Sequence, residues 1–301
     1  MSSPDYRGRF APSPSGPLHL GSLVTALGSY LQAKQVRGQW LVRIEDLDLP
    51  RAVPGAADNI LRTLEAFGFE WDESVLLQST RGAAYESALD KLRSLKLSYP
   101  CACTRSEIQA FNTQTAASSD ELRYPGLCRQ APTREHGPYA WRFRVSAQSI
   151  CFEDRLQGEQ CVNLEDDVGD FVIKRRDGLF AYQLAVVIDD AAQGITEVVR
   201  GADLLLNTPR QIAIQRALGM PSPIYAHLPL VVDAQGHKLA KSNAAEPVNA
   251  AYAAPTLWRA LHLLRQPIPT ELQTATLSDL WSWAITHWDI TRLCNMTRIQ
   301  G

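Results

Sequence analysis

Residues 9–21 run Arg9-Phe10-Ala11-Pro12-Ser13-Pro14-Ser15-Gly16-Pro17-Leu18-His19-Leu20-Gly21. The run opens in a short buried strand, residues 7–11. Pro12, Pro14, Gly16 and Pro17 then fix a turn that neither a helix nor a sheet can continue through. Beyond it Leu23, Leu27 and Leu31, with Ala26 and Tyr30, recur at helical spacing from about Gly21 to Val36. A strand, a tight turn and a helix entered at its N-terminus aim backbone N–H groups and a positive dipole end at one point. His19 stands there. The unit suits an anionic ligand, above all a phosphate.

Outward from this unit the alternation continues. Leu41-Val42-Arg43-Ile44 reads as a second strand, ending in the acidic corner Glu45-Asp46-Leu47-Asp48. A helix near 55–68, a strand at Val75-Leu76-Leu77 and a helix near 81–96 follow. Such alternation predicts an α/β fold, a Rossmann-like doubly wound parallel sheet with its ligand site at the carboxyl ends of the strands. From Tyr99 to about Lys174 the pattern changes to strand-like pieces at 140–145, 161–164 and 170–173, with a polar stretch at 112–120 that reads as an exposed loop. This predicts an inserted α+β subdomain over 99–174. Helices near 180–188 and 208–218 and strands at 197–200 and 228–232 resume the first pattern. Residues 1–98 and 175–232 are thus expected to form the Rossmann-like domain. Residues 233–301 carry His237-Lys238-Leu239-Ala240-Lys241-Ser242 and then a short helical tail.

The 301 residues are 45% hydrophobic and 21% charged, as in an ordinary soluble globular protein. No apolar run approaches the ~20 residues needed to span a bilayer. The opening MSSPDYRGRF lacks a signal-peptide core. A cytoplasmic protein with no membrane partner is expected. Thirty basic against 32 acidic residues leave a net charge of −2, so an RNA partner would need a local basic surface. Arg105, Arg123, Arg129 and Arg142 read as its phosphate contacts. Six cysteines are few for a disulfide scaffold, and cytosolic thiols stay reduced. Cys101, Cys103 and Cys128 therefore read as metal ligands. Zinc takes four tetrahedral ligands, and Tyr124 and His136 both qualify as the fourth. Cys151, Cys161 and Cys294 read as core thiols. Asp189 and Asp190 read as helix-end structure.

Two lysines beside a hydroxyl at 238–242 suit a polyphosphate clamp. Arg9 can pair a carboxylate bidentately, and Glu45 can take an ammonium. The two separated segments resemble the HIGH and KMSKS signatures of class I aminoacyl-tRNA synthetases, and RFAPSPSGPLHLG resembles the glutamyl branch. Ser22 stands where the fourth HIGH residue would be, and Ala240 interrupts the second signature. The resemblance implies an ATP site of His19, Gly21, Ser22, Lys238 and Lys241, with His19 and Lys241 catalytic. It implies a glutamate site of Arg9, Phe10, Ala11, Pro12, Ser13, Glu45, Tyr182 and Arg200. Tyr182 and Arg200 lie in segments 182–190 and 199–203, which resemble glutamyl-synthetase active-site sequence.

The Cys-x-Cys…Tyr-x-x-x-Cys pattern resembles that of truncated glutamyl-synthetase paralogues. It favours Tyr124 over His136 around one structural Zn2+. With one short helical tail and no anticodon-binding domain expected, the chain resembles the glutamyl-queuosine tRNA(Asp) synthetase family. That likeness implies ATP-dependent activation of glutamate without tRNA, with Mg2+ accompanying ATP. It further implies transfer to queuosine in the anticodon loop of tRNA(Asp), by a monomer. The acceptor rests on resemblance alone. Transfer to a tRNA 3′ end or a small molecule is one alternative, and a non-catalytic zinc-bearing RNA-binding paralogue is another. A binding module would not need Arg9, Glu45, Tyr182, Arg200 and Lys241 together.

Overall fold

The computed structural model describes residues 6–48, 52–114, 122–237 and 246–301. Strand β1 (Arg7–Phe10) leads through the proline turn into α1 (Leu20–Gln35), followed by β2 (Gln39–Ile44), α2 (Ala56–Ala66) and β3 (Leu76–Leu77). Next come α3 (Gly82–Ser94), β4 (Ser98–Cys101) and α4 (Arg105–Gln114). The middle of the chain forms β5 (Ala140–Phe143), β6 (Ile150–Asp154), β7 (Gly158–Val162), the short α5 (Leu164–Asp167) and β8 (Phe171–Lys174). Then follow α6 (Tyr182–Ala192), β9 (Glu197–Gly201), α7 (Thr208–Leu218), β10 (Ile224–Leu228) and β11 (Leu230–Val232). The tail forms α8 (Ala253–Leu263), α9 (Leu277–His287) and β12 (Arg298–Gln300).

The parallel sheet is real. β1 pairs with β2, and β2 with β3, all parallel. β9 pairs parallel with β10 from Glu197↔Ile224 to Gly201↔Leu228. The two sets meet where Thr196 N donates to Arg7 O at 2.9 Å. Strand order therefore runs β3-β2-β1-β9-β10 and reverses direction of growth between β1 and β9. In doubly wound folds the ligand crevice opens at that reversal. Strands buried on both faces read as continuous apolar runs, and every residue of β9 and all of β2 after Gln39 is buried. Arg43, Glu197 and Arg200 interrupt those runs as buried charges, and each must therefore find a partner.

The main core lies between this sheet, α1 and the tail. Leu23, Leu27 and Leu31 of α1 are fully buried. Gly28 lets the helix approach β10, because a Cβ there would stand 2.6 Å from Leu228 Cδ1. Tyr30 packs edge-on against Trp40, Phe69 and Trp281 with ring centroids 5.0, 5.2 and 4.9 Å away. The tail also joins a strand pairing of its own, β12 running parallel to β11 in register Leu230↔Arg298 to Val232↔Gln300.

The expected organisation meets three differences. The span read as an inserted subdomain divides between two sheets. β4, β5 and β8 form an antiparallel sheet of their own, while the β6–β7 hairpin joins β10 at Tyr225↔Asp154. The polar stretch begins as helix, since Asn112 is buried in α4 and exchanges hydrogen bonds with the backbone of Arg123. Residues 115–120 lie outside the described residues. Cys151, Cys161 and Cys294 are not core thiols: all three are exposed, and the first two join as a disulfide across the β6–β7 hairpin. Opposed positions on neighbouring strands face each other whether or not they are buried, and β6 carried no signal strong enough to reveal that pairing.

Trp281 joins the tail to α1 and the end of α2 through its ring contacts with Tyr30 and Phe69 and through Nε1–H donated to Phe67 O at 2.9 Å. Trp281→Ala should lower unfolding free energy by about 3–5 kcal/mol. Denaturant unfolding checks this, and a loss far below that range would mean that the tail docks elsewhere.

Candidate active site

A cleft of about 850 Å³ opens at the reversal of strand order. The end of β1 and its turn bring Arg9, Phe10, Ala11, Pro12 and Ser13 to it. The start of α1 brings His19, Gly21 and Ser22. Glu45 arrives at the end of β2, Tyr182 at the start of α6 and Arg200 from β9. Every described residue of the two expected sets thus lines one cavity. Lys238 and Lys241 lie outside the described residues. Both flanks of their segment reach the cleft region: Leu230 and Val231 line it, while Val248 N donates to Leu18 O at 2.9 Å.

The turn holds its shape by short-range bonds. Glu45 N donates to Pro12 O at 3.0 Å, tying the proline segment to the end of β2. His19 is the N-cap of α1, and its Nδ1 accepts from Ser22 N at 3.3 Å. The Ser22 hydroxyl lies 3.0 Å from His19 Nε2. The serine at the fourth motif position therefore supports the histidine from below.

Beneath the cleft lies a buried ionic set that the sequence did not disclose. Asp190 Oδ1 accepts from Arg9 Nε at 3.2 Å and from Arg43 Nη1 at 2.7 Å, and Oδ2 accepts from Arg9 Nη2 at 3.3 Å. Arg43 Nη2 donates to Glu45 Oε1 at 3.3 Å. Burial would raise the Asp190 pKa, but Arg9 and Arg43 outweigh it and hold the carboxyl below its ordinary range. Glu45 goes the other way. Burial pushes its pKa up, and the pull of Arg43 and Arg9 does not cancel that. Asp189 accepts from Tyr85 Oη at 2.6 Å, Gln78 Nε2 at 2.9 Å and Arg81 Nε at 3.0 Å. Asp189 and Asp190 stand in the last turn of α6, as the helix-end reading expects, and serve there as buried hubs. Charged residues inside an apolar helix were the available signal.

Away from the cleft, Cys101, Cys103 and Cys128 bring their sulfurs within 4.8 Å of one another. Tyr124 Oη lies 3.3 Å from Cys101 Sγ and 3.6 Å from Cys103 Sγ. His136 is exposed and outside this group. Burial raises the Cys128 pKa, but backbone hydrogen bonds from Thr133 and Ala102 outweigh it and bring the thiol down to about 6. Gly169, at φ +71°, lets Tyr124 approach, since a Cβ there would stand 2.1 Å from Tyr124 O. Three of the arginines read as phosphate contacts are engaged inside this subdomain, Arg123 donating from Nε to Glu165 O at 2.9 Å. Arg142 is buried, donating to Cys101 Sγ at 3.2 Å and to Asp170 O at 2.7 Å. Arg129 pairs with Asp170 at 2.6 Å and Glu165 at 3.0 Å.

Residues 5–255 match the family model for class I tRNA synthetases (E and Q), catalytic domain. A glutamyl-Q tRNA(Asp) synthetase of Dechloromonas aromatica is 57% identical over 288 residues, covering 96% of this chain and 95% of that protein. The chain belongs to the glutamyl-Q tRNA(Asp) synthetase family of class I synthetases. The protein of that name from Thiobacillus denitrificans is 53% identical, over 94% of this chain and 93% of its own. Among solved structures, the glutamate-tRNA synthetase of Elizabethkingia anophelis superposes with a TM-score of 0.81 at 26% identity. That match covers 99% of this chain and 68% of the other. The α/β fold with its parallel sheet is therefore that of a glutamate-tRNA synthetase catalytic region. Among the described residues no helix is long and apolar enough to cross a membrane.

The raised pKa of Glu45 yields a pH prediction. Only the ionised carboxylate attracts an ammonium, and a raised pKa means that this form is lost early as pH falls. The KM for glutamate should therefore be lowest at neutral pH and rise on the acid side, beginning above the ordinary carboxyl value of about 4.3. Glu45→Gln should raise KM at neutral pH and flatten that limb. An unchanged acid limb in the variant would assign it to another group.

Proposed function

We propose that this chain is a glutamyl-queuosine tRNA(Asp) synthetase. It activates glutamate with ATP in the absence of tRNA and transfers the glutamyl group to queuosine in the anticodon loop of tRNA(Asp). The observation that carries the reading is the 57% identity, over nearly the whole chain, to a relative of that name. The convergence of Arg9, Glu45, Tyr182, Arg200 and His19 on one cleft supports it.

In this reading Glu45 takes the α-ammonium of glutamate, while Arg9, Tyr182 and Arg200 face its carboxylates. The α-carboxylate attacks the α-phosphorus of ATP, and pyrophosphate leaves. Preorganised donors are worth most where charge builds in the transition state, which assigns His19 and Lys241 to the phosphates, with Gly21, Ser22 and Lys238 beside them. Mg2+ accompanies the ATP phosphates. A queuosine hydroxyl then attacks the adenylate carbonyl, releasing AMP, and its proton passes to solvent. Residues 1–98 and 175–232, with the β6–β7 hairpin, carry the activation chemistry, the rest of 99–174 grips the RNA and 233–301 supply the lysine loop and tail. The protein works as a cytoplasmic monomer.

A structural Zn2+ completes the reading. Three sulfurs within 4.8 Å of one another, with a phenol oxygen beside them and one thiol already low in pKa, fit a tetrahedral set. Bound there, zinc would cross-link β4 to the segment around Tyr124. Purified protein should hold about one zinc per chain. Cys128→Ser and Tyr124→Phe should reduce that content, and His136→Ala should leave it alone. Metal loss in the histidine variant only would overturn the tyrosine assignment.

Transfer is tested with labelled glutamate. ATP–pyrophosphate exchange should need glutamate and no tRNA. Periodate-resistant tRNA(Asp), blocked at its 3′ end by a terminal 2′,3′-dideoxyadenosine, should accept label when it carries queuosine and not when it lacks it. Dependence on an intact 3′ end would make the chain an ordinary acylating enzyme.

A further inference from the structure

Arg200 is gripped on three sides. Its Nε donates to His227 Nε2 at 3.0 Å, its Nη2 to Thr208 Oγ1 at 2.9 Å and its Nη1 to Tyr182 Oη at 3.2 Å. His227 is fully buried in β10, and its Nδ1 lies 2.5 Å from Asp154 Oδ2. The other oxygen of Asp154 is saturated by backbone: Oδ1 accepts from Gln157 N at 3.0 Å, Leu156 N at 3.1 Å and His227 N at 3.2 Å.

These contacts leave one arrangement of protons. An arginine Nε can only donate, so His227 Nε2 must accept and the ring proton must sit on Nδ1, facing Asp154. Burial and the nearby Arg200 charge oppose a second ring proton, and the His227 pKa lies below its ordinary value. Tyr225 stacks on the imidazole with ring centroids 6.2 Å apart.

We propose that Asp154 and His227 form a positioning relay for Arg200, in which Asp154 selects the Nδ1–H tautomer of His227 and the free Nε2 then fixes the guanidinium toward Tyr182 and the cleft. That Arg200 holds a substrate carboxylate rests on the proposed function. The tautomer and its control by Asp154 do not. A carboxylate that orients an imidazole acts in this way in the serine-protease triad, where an asparagine in its place gives the wrong tautomer.

Asp154→Asn is the informative variant because the site dictates how the amide must turn. Three backbone N–H groups hold its oxygen at the Oδ1 position, so its NH₂ must face His227 Nδ1. The imidazole then shifts its proton to Nε2 and presents a donor to the donor on Arg200.

The test has two arms. ¹⁵N spectra of histidine-labelled protein without substrate, assigned by His227→Gln, should show His227 protonated on Nδ1 in the wild type and on Nε2 in Asp154→Asn. In exchange assays Asp154→Asn and His227→Phe should raise the KM for glutamate about 10- to 100-fold, the range for one hydrogen bond to a charged group. The KM for ATP and kcat should change little. His227→Gln, whose Oε1 can accept from Arg200, should recover most of the glutamate affinity. A wild-type ring protonated on Nε2 would overturn the proposal, even if Asp154→Asn failed to fold. So would a folded Asp154→Asn with unchanged glutamate KM, or equal losses of both KM values together with a lowered melting temperature. Absence of glutamate-dependent exchange in the wild type would instead count against the function, leaving the spectra to decide the relay.

Discussion

One buried carboxylate, Asp190, lies between the guanidinium groups of Arg9 and Arg43 and joins three elements at the point where the strand order reverses. Arg9 comes from β1, Arg43 from β2 and Asp190 from α6, so the ion set is also a clamp across the crevice. With Glu45 it balances two positive charges against two negative ones in a place almost without water. Removing one member of a buried pair typically costs about 3–5 kcal/mol because its partner is left charged and unsolvated. The direction of the Asp190 shift agrees with that logic, since paired cations outweigh burial. Glu45, at the cleft edge with weaker compensation, shifts the opposite way.

A second balanced set lies across the reversal point, built from Arg200, His227 and Asp154. The two differ in kind. Around Asp190, charges meet directly and hold backbone elements together. Around His227 a neutral ring stands between the ions, so hydrogen-bond direction matters more than Coulomb attraction. Both are rooted in strands or a helix rather than loops, and this keeps Arg9 and Arg200 in place before any ligand arrives.

The fold was legible wherever burial on both strand faces wrote long apolar runs, as in β2 and β9, and wherever helical spacing was clean, as in α1 and α7. β6 and β10 were not. β6 alternates buried and exposed residues over only five positions, and the β10 sequence IYAHL merges into the apolar run beyond Pro229. Site residues that touch the cleft stood out through their motifs. The residues that hold them, Arg43, Asp154, Asp190 and His227, lie far apart along the chain and become neighbours only through strand pairing. No local spacing encodes such contacts. Arg129 and Arg142 show the converse: a charge that looks like free surface in sequence can be satisfied by Asp170 or a thiol once folded.

The pairing of β11 with β12 also bears on how the molecule comes into being. On the ribosome, domains generally form from the N-terminus as the chain emerges at about 5–20 residues per second. Here β1 waits for β9 to cover its edge, Arg9 and Arg43 wait for α6 to neutralise them, and β11 waits for residues 298–300. Parallel, long-range pairings of this sort are slow because loop closure must precede any gain from contact. A nascent chain that has already made both signature segments therefore still has an unfinished strand edge beside the second of them. Until those partners emerge, the open edges of β1 and β11 are the surfaces most in need of protection from other chains.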